Sequence, residues 1–463
     1  MSLRKIFKLA IIPALLSLGS CDNFLDVVPK GVVIPQTLAD YEALLSAPLV
    51  VTRTSNNVVY ATDEIILPEA NRAGAGGYPG RHAVNTYDYL PEHYDVSEND
   101  EDWNAGYKAI YTYNTVIQGI ADNKEADQTK KNRLKGESLV HRAFTYLSLV
   151  NQYAKHYSGT ASEDLGVPLP LKPDINALLP RSTVAEVYQQ IENDLLESID
   201  LLPETPTYRQ RPSKGAALGL LARMYLYKGN WEKSFDYANQ TLAINNFVYD
   251  YNTFSYADPN NRRGALNGYP TSMNDKKHVI FNKYLLKVGA LDFQFQIAPA
   301  QYALYKTGDL RELFGTSPKG YTNALLAFQG VLEMNGAYEY NNGGVTTQEI
   351  YLIRAEAAAR LNKLPEALES LNYLRQRRFT TATFKTMASN DKNEVLDWVL
   401  NERRIELAFL CHRLIDIKRL NLEGRNISIT RGDRVIQPND PRMVFPIPAK
   451  NISVNPNLIQ NPR

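Results

Sequence analysis

Charged side chains concentrate near the C-terminal third of this 463-residue chain, where their spacing could support chemistry. Opposite charges three or four residues apart on one helix usually form ion pairs with a structural role. We therefore predict ion pairs such as Arg413 with Asp416 and assign no catalytic group there. The block consists of Glu402, Arg403, Arg404, Glu406, Arg413, Asp416 and Arg419.

A second group of acids occupies residues 97–102, immediately before Trp103. Two interpretations are open. Clustered carboxylates are typical calcium ligands, but acids at the start of a helix are also favoured by the helix dipole and by capping of free N–H groups. We favour capping and predict a long helix from Trp103 onward.

Composition and motifs exclude several function classes. Lys plus Arg number 51 and Asp plus Glu 50, so no bulk charge favours nucleic acid. The six histidines form no HExxH pattern and no phosphate-binding glycine fingerprint is present, so the sequence indicates neither a metal nor a cofactor. Cys411 lies in a predicted helix, and we interpret it as a packing residue.

The elements that must position these residues are paired helices. Residues 348–378 combine apolar residues at helical spacing with a corner at Asn362, which tolerates a left-handed backbone, and Pro365, which suits a helix start. Residues 221–238 repeat this pattern, with Gly229 in place of Asn362. Such pairs resemble tetratricopeptide helix pairs and need neighbours to bury their apolar faces.

Further helices are predicted at 103–121, 127–155, 183–202 and 394–420, the third capped by Ser182 or Thr183, with Glu186 placed to complete a capping box. Residues 426–436 alternate like a hairpin that turns at Arg431-Gly432-Asp433. The helices are interrupted by an irregular insertion at 246–346, rich in aromatic residues. Insertions of this kind usually cap an array or form its working face.

The N-terminus has the form of an export signal. Basic residues precede an apolar run that is too short to span a bilayer, and the run ends in Leu18-Gly19-Ser20-Cys21. This resembles a bacterial lipobox, in which Cys21 is acylated and becomes the mature N-terminus. The alternative is an ordinary secretory signal followed by an unrelated cysteine.

Four blocks, in order, resemble the SusD/RagB family of outer-membrane lipoproteins. They are residues 103–114 (WNAGYKAIYTYN), 350–360 (IYLIRAEAAAR), 401–419 (NERRIELAFLCHRLIDIKR) and 444–461 (VFPIPAKNISVNPNLIQN). Leu410-Cys411 departs from the family, which commonly has an acid and a glycine there.

The resemblance implies a mainly α fold, a tetratricopeptide-like scaffold with a loop-rich ligand-binding region. A lipoprotein signal (1–20) would precede one domain (21–463), divided into a loop-rich part (21–100), helix pairs (101–245), the insertion (246–346), helix pairs (347–420) and a C-terminal hairpin and tail (421–463). It also implies a non-catalytic surface protein, anchored in the outer membrane by its lipid, that hands oligosaccharide or peptide to a SusC-like TonB-dependent transporter.

Aromatic rings suit such a ligand because sugars present CH faces that stack on them. The ligand-binding candidates are Asp63, Tyr78, Tyr87, Tyr89, Tyr94, Trp103, Tyr269 and Tyr284. Two other functions stay open: a lipid-anchored helical-repeat scaffold for protein partners, and a surface glycosidase, which would need two carboxylates across a cleft.

Overall fold

The computed structural model describes residues 35–47, 57–72, 81–260, 266–283, 295–315 and 343–463. The helices are α1 (Leu38–Leu44), α2 (Glu69–Arg72), α3 (Arg81–Tyr87), α4 (Glu101–Asp122), α5 (Gln128–Tyr153), α6 (Val184–Ser198), α7 (Lys214–Lys228), α8 (Trp231–Ile244), α9 (Pro299–Tyr302), α10 (Leu310–Gly315), α11 (Thr347–Arg360), α12 (Leu364–Gln376), α13 (Lys392–Glu406), α14 (Arg413–Leu422) and α15 (Ala449–Val454). The strands are β1 (Ile65–Ile66), β2 (Ser255–Tyr256), β3 (Leu266–Asn267), β4 (Val279–Phe281), β5 (Gln296–Ile297), β6 (Val345–Thr346), β7 (Ile429–Arg431) and β8 (Arg434–Ile436).

The long helices form a continuous stack in chain order. Helix α4 packs on α5, α5 on α6, α6 on α7, and α7 on α8. The stack then continues across the insertion, because α8 packs on α11, which in turn contacts α12 and α13. This arrangement confirms the mainly α prediction and the pairing of helices.

The corners of the two repeated pairs have the predicted backbone. Gly229, between α7 and α8, has φ +71°, and Asn362, between α11 and α12, has φ +61°. Glycine and asparagine adopt this left-handed conformation at lower cost than other residues, and so end a helix sharply. Pro365 lies in the first turn of α12, where its missing N–H costs no hydrogen bond.

Side-chain caps fix the starts of α4 and α6. Asp100 accepts hydrogen bonds from the backbone N–H groups of Asp102 and Trp103 and so begins α4. Thr183 and Glu186 form the predicted capping box at the start of α6. Both capping predictions are confirmed, and the acids before Trp103 therefore have a structural explanation.

The helix predicted at 394–420 is wrong in one respect, because it is two helices, α13 and α14, separated by residues 407–412. Phe409 and Cys411 both have φ +65° in this connection, a conformation that no helix contains. Cys411 is therefore half-buried in a connection and does not lie in a helix as predicted.

The predicted pair of Arg413 with Asp416, both on α14, is wrong, because each side chain pairs with another partner. Asp416 instead accepts hydrogen bonds from Arg403 at 2.9 Å and Arg419 at 2.8 Å. Arg413 reaches Asp63, 350 residues earlier in the chain. Burial alone would raise the pKa of Asp416, but these guanidinium charges outweigh it and lower that pKa to about 2.

Small antiparallel sheets join distant parts of the chain. β1 pairs with β5 and β4 with β6, so the insertion is tied both to the N-terminal part and to the start of α11. β7 and β8 form the predicted C-terminal hairpin, in which Gly432 has φ +59° at the turn.

Candidate functional site

The described chain segments that border the loop-rich regions converge on one part of the molecule. Ile65 of β1 pairs with Ile297 of β5, which places the segment before α2 beside residue 295. The N–H of Gly343 donates to the carbonyl of Lys283 at 2.8 Å, so the ends of two other described segments meet as well. Sequence reasoning could not see this convergence because it depends on pairing between distant segments.

A hydrophobic cluster lies under this convergence, and we call it the junction cluster. Phe295 packs its ring 5.2 Å from that of Tyr60 and 5.5 Å from that of Tyr87. Residues 408–409 of the α13–α14 connection complete the contact. Its buried members are Val59, Tyr60, Ile65, Leu67, Ala83, Tyr87, Phe295, Ile297, Ala408 and Phe409.

Asp63 lies beside the junction cluster in a buried ion pair. Its two carboxylate oxygens each accept a hydrogen bond of 2.7 Å from Arg413, and Arg404 approaches to 3.1 Å. Burial by itself would raise the pKa of Asp63, but the hydrogen bonds and charges of these arginines outweigh it, so that pKa is lowered. Both oxygens of the Asp63 carboxylate thus bond arginine side chains.

The neighbouring Glu64 has the opposite electrostatics. It is buried, and both burial and the charge of Asp63 raise its pKa to about 8, so the carboxyl is mainly neutral at pH 7. One oxygen accepts from the N–H of Phe409 at 3.2 Å, which supports the strained connection. Two carboxyls with separated pKa values can serve acid-base catalysis, but here both bond protein groups.

Tyr87, Tyr89 and Trp103 are placed in the interior, with exposed fractions of 4%, 1% and 3%. The ring of Tyr87 lies under the guanidinium of Arg431, and the hydroxyl of Tyr89 donates to a backbone carbonyl. Trp103 packs edge-on against Tyr153 at 4.9 Å. In this structure none of the three presents a free ring face on which a sugar could stack.

Tyr94 is a half-buried aromatic candidate near the junction cluster. Its ring stacks on that of His82 at 5.1 Å with the planes 7° apart, and its hydroxyl accepts a 2.6 Å hydrogen bond from Asn57. Burial raises the pKa of the Tyr94 hydroxyl, so it stays protonated and can donate to a ligand. The pair of rings therefore combines an aromatic surface with a fixed polar group.

Tyr269 belongs to a different aromatic cluster, built from the insertion. Its ring contacts Tyr249 at 5.4 Å and Phe254 at 5.5 Å, both edge-on. The ammonium of Lys276 lies 5.1 Å from its centroid. Three further sequence candidates, Cys21, Tyr78 and Tyr284, lie outside the described residues.

Two of the acids between residues 97 and 102, Asp100 and Asp102, are buried and bonded to protein groups. Asp100 also accepts a 2.6 Å hydrogen bond from the hydroxyl of Tyr153, and Asp102 accepts 3.0 Å and 3.1 Å hydrogen bonds from Asn57 and Gln152. Burial first, and then the charge of Asp102, raise the pKa of Asp100 to about 7. Over the described part of the chain, no group of three or more His, Cys, Asp or Glu side chains is placed to hold a metal ion.

Sequence reasoning missed one pocket, which we call the tail pocket because the C-terminal residues close it. Its volume is about 540 Å³, and residues within 155–165, 439–444 and 460–462 form most of its lining, together with Arg181, Lys418 and Leu422. No local sequence pattern predicts this pocket, because the segments that line it are far apart in the sequence.

A family model described as starch-binding and associating with the outer membrane matches residues 23–226, and the SusD family model matches residues 347–463. The SusD-like protein P2 of Formosa agariphila is 25% identical over 99% of each chain. Among the described helices, none is long and apolar enough to cross a membrane.

Solved structures share the fold. A SusD superfamily protein from Bacteroides thetaiotaomicron superimposes with a TM-score of 0.73 at 22% identity, covering 92% of this chain and 100% of the other. A SusD-like carbohydrate binding protein from Bacteroides vulgatus gives a TM-score of 0.68 at 21% identity, with coverage of 92% and 98%. The two family models lie in the expected order and the full-length fold agrees, so the chain belongs to the SusD/RagB family.

Proposed function

We propose that this protein is a non-catalytic, lipid-anchored protein of the outer cell surface that binds oligosaccharide and delivers it to a SusC-like TonB-dependent transporter. The observation that carries the proposal is the match of two SusD family models, one of them described as starch-binding, to both ends of one helical stack. A related fold from Bacteroides vulgatus is described as carbohydrate binding, which supports a glycan in preference to a peptide.

The proposed ligand region is the loop-rich surface around the junction cluster. Tyr94 and His82 supply stacked rings there, and Asn57 fixes the Tyr94 hydroxyl. Tyr78 and Tyr284 belong to adjoining parts of the sequence and remain proposed ligand contacts. Aromatic faces for CH groups and neighbouring polar groups for hydroxyls are what sugar recognition requires.

Binding without bond cleavage is supported by how the acids of this region are used. Asp63 is bonded to two arginines, and Asp100 and Asp102 accept hydrogen bonds at the start of α4. A glycosidase needs one carboxyl as acid and another as base or nucleophile on opposite sides of a bound sugar. These carboxyls are instead occupied by protein donors.

A glycan array with the purified mature protein tests the binding function. We expect retention of at least one glycan class, and at least tenfold weaker retention after Tyr94→Ala. Tyr208→Ala is the matched control, because Tyr208 is 55% exposed and outside the proposed region. Binding of peptides but no glycan, or release of reducing sugar from a bound glycan, would contradict the proposal.

Anchoring and partner are tested in cells. Because a diacylated N-terminus holds a protein at a bilayer, Cys21→Ser should move the protein out of the membrane fraction. A crosslinked sample from cells should contain a large outer-membrane barrel protein. Recovery of mature protein with Cys21 free of fatty acid would exclude the anchor, and a soluble partner with indifference to sugars would favour the scaffold function.

A further inference from the structure

The tail pocket is a cavity that the proposed function does not use. Its lining comes from the loop after α5, the end of α14 and the C-terminal residues, and includes none of the residues of the junction cluster. A volume of about 540 Å³ falls within the range of small-molecule sites in proteins. The pocket is therefore large enough for a ligand of one or two sugar rings.

Two buried basic side chains, Arg181 and Lys418, are part of its lining. Arg181 and Lys418 are 7% and 6% exposed. Arg181 directs five hydrogen bonds to protein oxygens, four of them backbone carbonyls, and so holds the loop and the tail together. Lys418 donates to the carbonyls of Asn151 and Ala154, both at 2.7 Å, at the end of α5. Among the described residues, neither cation forms an ion pair with a carboxylate.

The absence of a counter-ion in the described structure has an electrostatic consequence. Burial lowers the pKa of Lys418 to about 7 and that of Arg181 to about 10. A buried charge without an opposite charge is costly, and an anion that enters the pocket reduces this cost. An ammonium group also has three N–H donors, of which the carbonyls use two in Lys418.

The acids of the pocket do not cancel this positive charge. Asp164 is paired with Lys155 at 2.6 Å, and Asp440 is paired with Arg442, also at 2.6 Å. Glu163 is exposed in the loop between α5 and α6. The two buried basic side chains, Arg181 and Lys418, are therefore the charged groups of the lining that no carboxylate pairs with among the described residues.

We propose that the tail pocket is a binding site for a small carboxylate-bearing ligand of one or two sugar rings, held through its carboxylate by Lys418. A singly charged carboxylate fits better than a phosphate dianion, because Arg181 has already directed its donors to protein oxygens and one ammonium donor is left. Ser158, Thr160 and Asn439 supply neutral polar groups for ligand hydroxyls. The inference does not depend on the proposed transport function.

Calorimetric or NMR titration of the purified mature protein with glucuronate and glucose tests this site, since the two sugars differ only at C6. We expect saturable binding of glucuronate and at least tenfold weaker binding of glucose. Lys418→Gln keeps hydrogen-bond donors but removes the charge, and should weaken glucuronate binding at least tenfold.

A second variant tests the cavity without touching the cation. Leu422 lines the pocket and is 52% exposed, so Leu422→Trp should fill the opening and weaken glucuronate binding, whether or not Lys418→Gln folds. Leu196→Trp is the matched control, because Leu196 is 41% exposed on α6 and does not line the pocket. Equal binding of glucose and glucuronate, preferential binding of inorganic phosphate, or unchanged affinity in folded Leu422→Trp would each overturn the proposal.

Discussion

Replacing Asp63 by alanine separates its structural role from a role in ligand contact. In the structure Asp63 neutralises Arg413, whose side chain is 7% exposed, and also contacts Arg404. Alanine would leave the guanidinium of Arg413 buried and without its carboxylate partner. We expect the variant to lose stability while retaining glycan affinity in the fraction that stays folded.

The expected loss follows from burial. Removing one partner of a buried ion pair typically costs about 3–5 kcal/mol, because an uncompensated charge stays behind. Asp63 itself is 17% exposed, so water can partly solvate the vacated position. We therefore expect the lower end of that range, about 3 kcal/mol. Glu64 should further reduce the loss of stability in Asp63→Ala. Its pKa falls when the charge of Asp63 is removed, so Glu64 ionises more readily and can partly replace the missing negative charge.

Urea unfolding followed by circular dichroism measures the loss, with Asp95→Ala as control. Asp95 also pairs with an arginine, Arg81, at 3.0 Å, but the side chains are 55% and 68% exposed. Exposed pairs contribute about 0–1 kcal/mol, so this control should be nearly neutral. Equal losses in both variants would refute the burial argument. Intact stability with lost glycan binding in Asp63→Ala would instead assign Asp63 to the ligand.

Two further predictions concern the buried carboxyl of Glu64 and the helix corner at Gly229. Glu64→Gln should remove a pH dependence of the stability. Between about pH 4.3, the ordinary pKa of glutamate, and pH 8, the folded protein binds more protons than the unfolded chain, because the pKa of Glu64 is raised in the folded state. The free energy of unfolding of the unmutated protein therefore falls as pH rises through this range. Urea midpoints at pH 5, 7 and 9 should decline less steeply in the variant, and identical slopes would show that Glu64 is not buried and neutral. Gly229→Ala should cost about 1–2 kcal/mol, because φ is +71° there. Gly159→Ala, with no atom within 4 Å of the added carbon and an ordinary φ, should be near neutral in the same assay, and equal effects would contradict the backbone explanation.

Local sequence signals predicted the helical scaffold well. The corners at Gly229 and Asn362, the capping box at Thr183 and the turn at Gly432 all depend on the conformational preferences of one or a few neighbouring residues. Such preferences act within a few residues and survive in almost any tertiary context. For the same reason the hairpin near the C-terminus could be predicted from its alternating pattern and its turn residues.

The same reasoning failed where tertiary contacts override local pattern. Residues 394–420 read as one helical stretch, yet Phe409 and Cys411 adopt positive φ in a connection braced by Glu64, a residue far away in sequence. The burial of the aromatic candidates could not be predicted for a related reason. Tyrosine is common both at binding surfaces and in protein cores, so the residue type does not show whether a given tyrosine is buried. The burial of Tyr87 and Tyr89 therefore became known only from the fold.

Contacts between the two ends of the chain explain why the proposed ligand region could not be read from any single segment. Arg413 pairs with Asp63, 350 residues away, and Arg431 donates to the carbonyls of Tyr60 and Thr62, 371 and 369 residues away. These arginines lie in or beside the helices and hairpin of the C-terminal part. They fix the segment that precedes the loop-rich region to the rigid stack. The groups that hold this base are not the proposed ligand contacts around Tyr94, so a change of loop sequence near Tyr94 would leave the base in place.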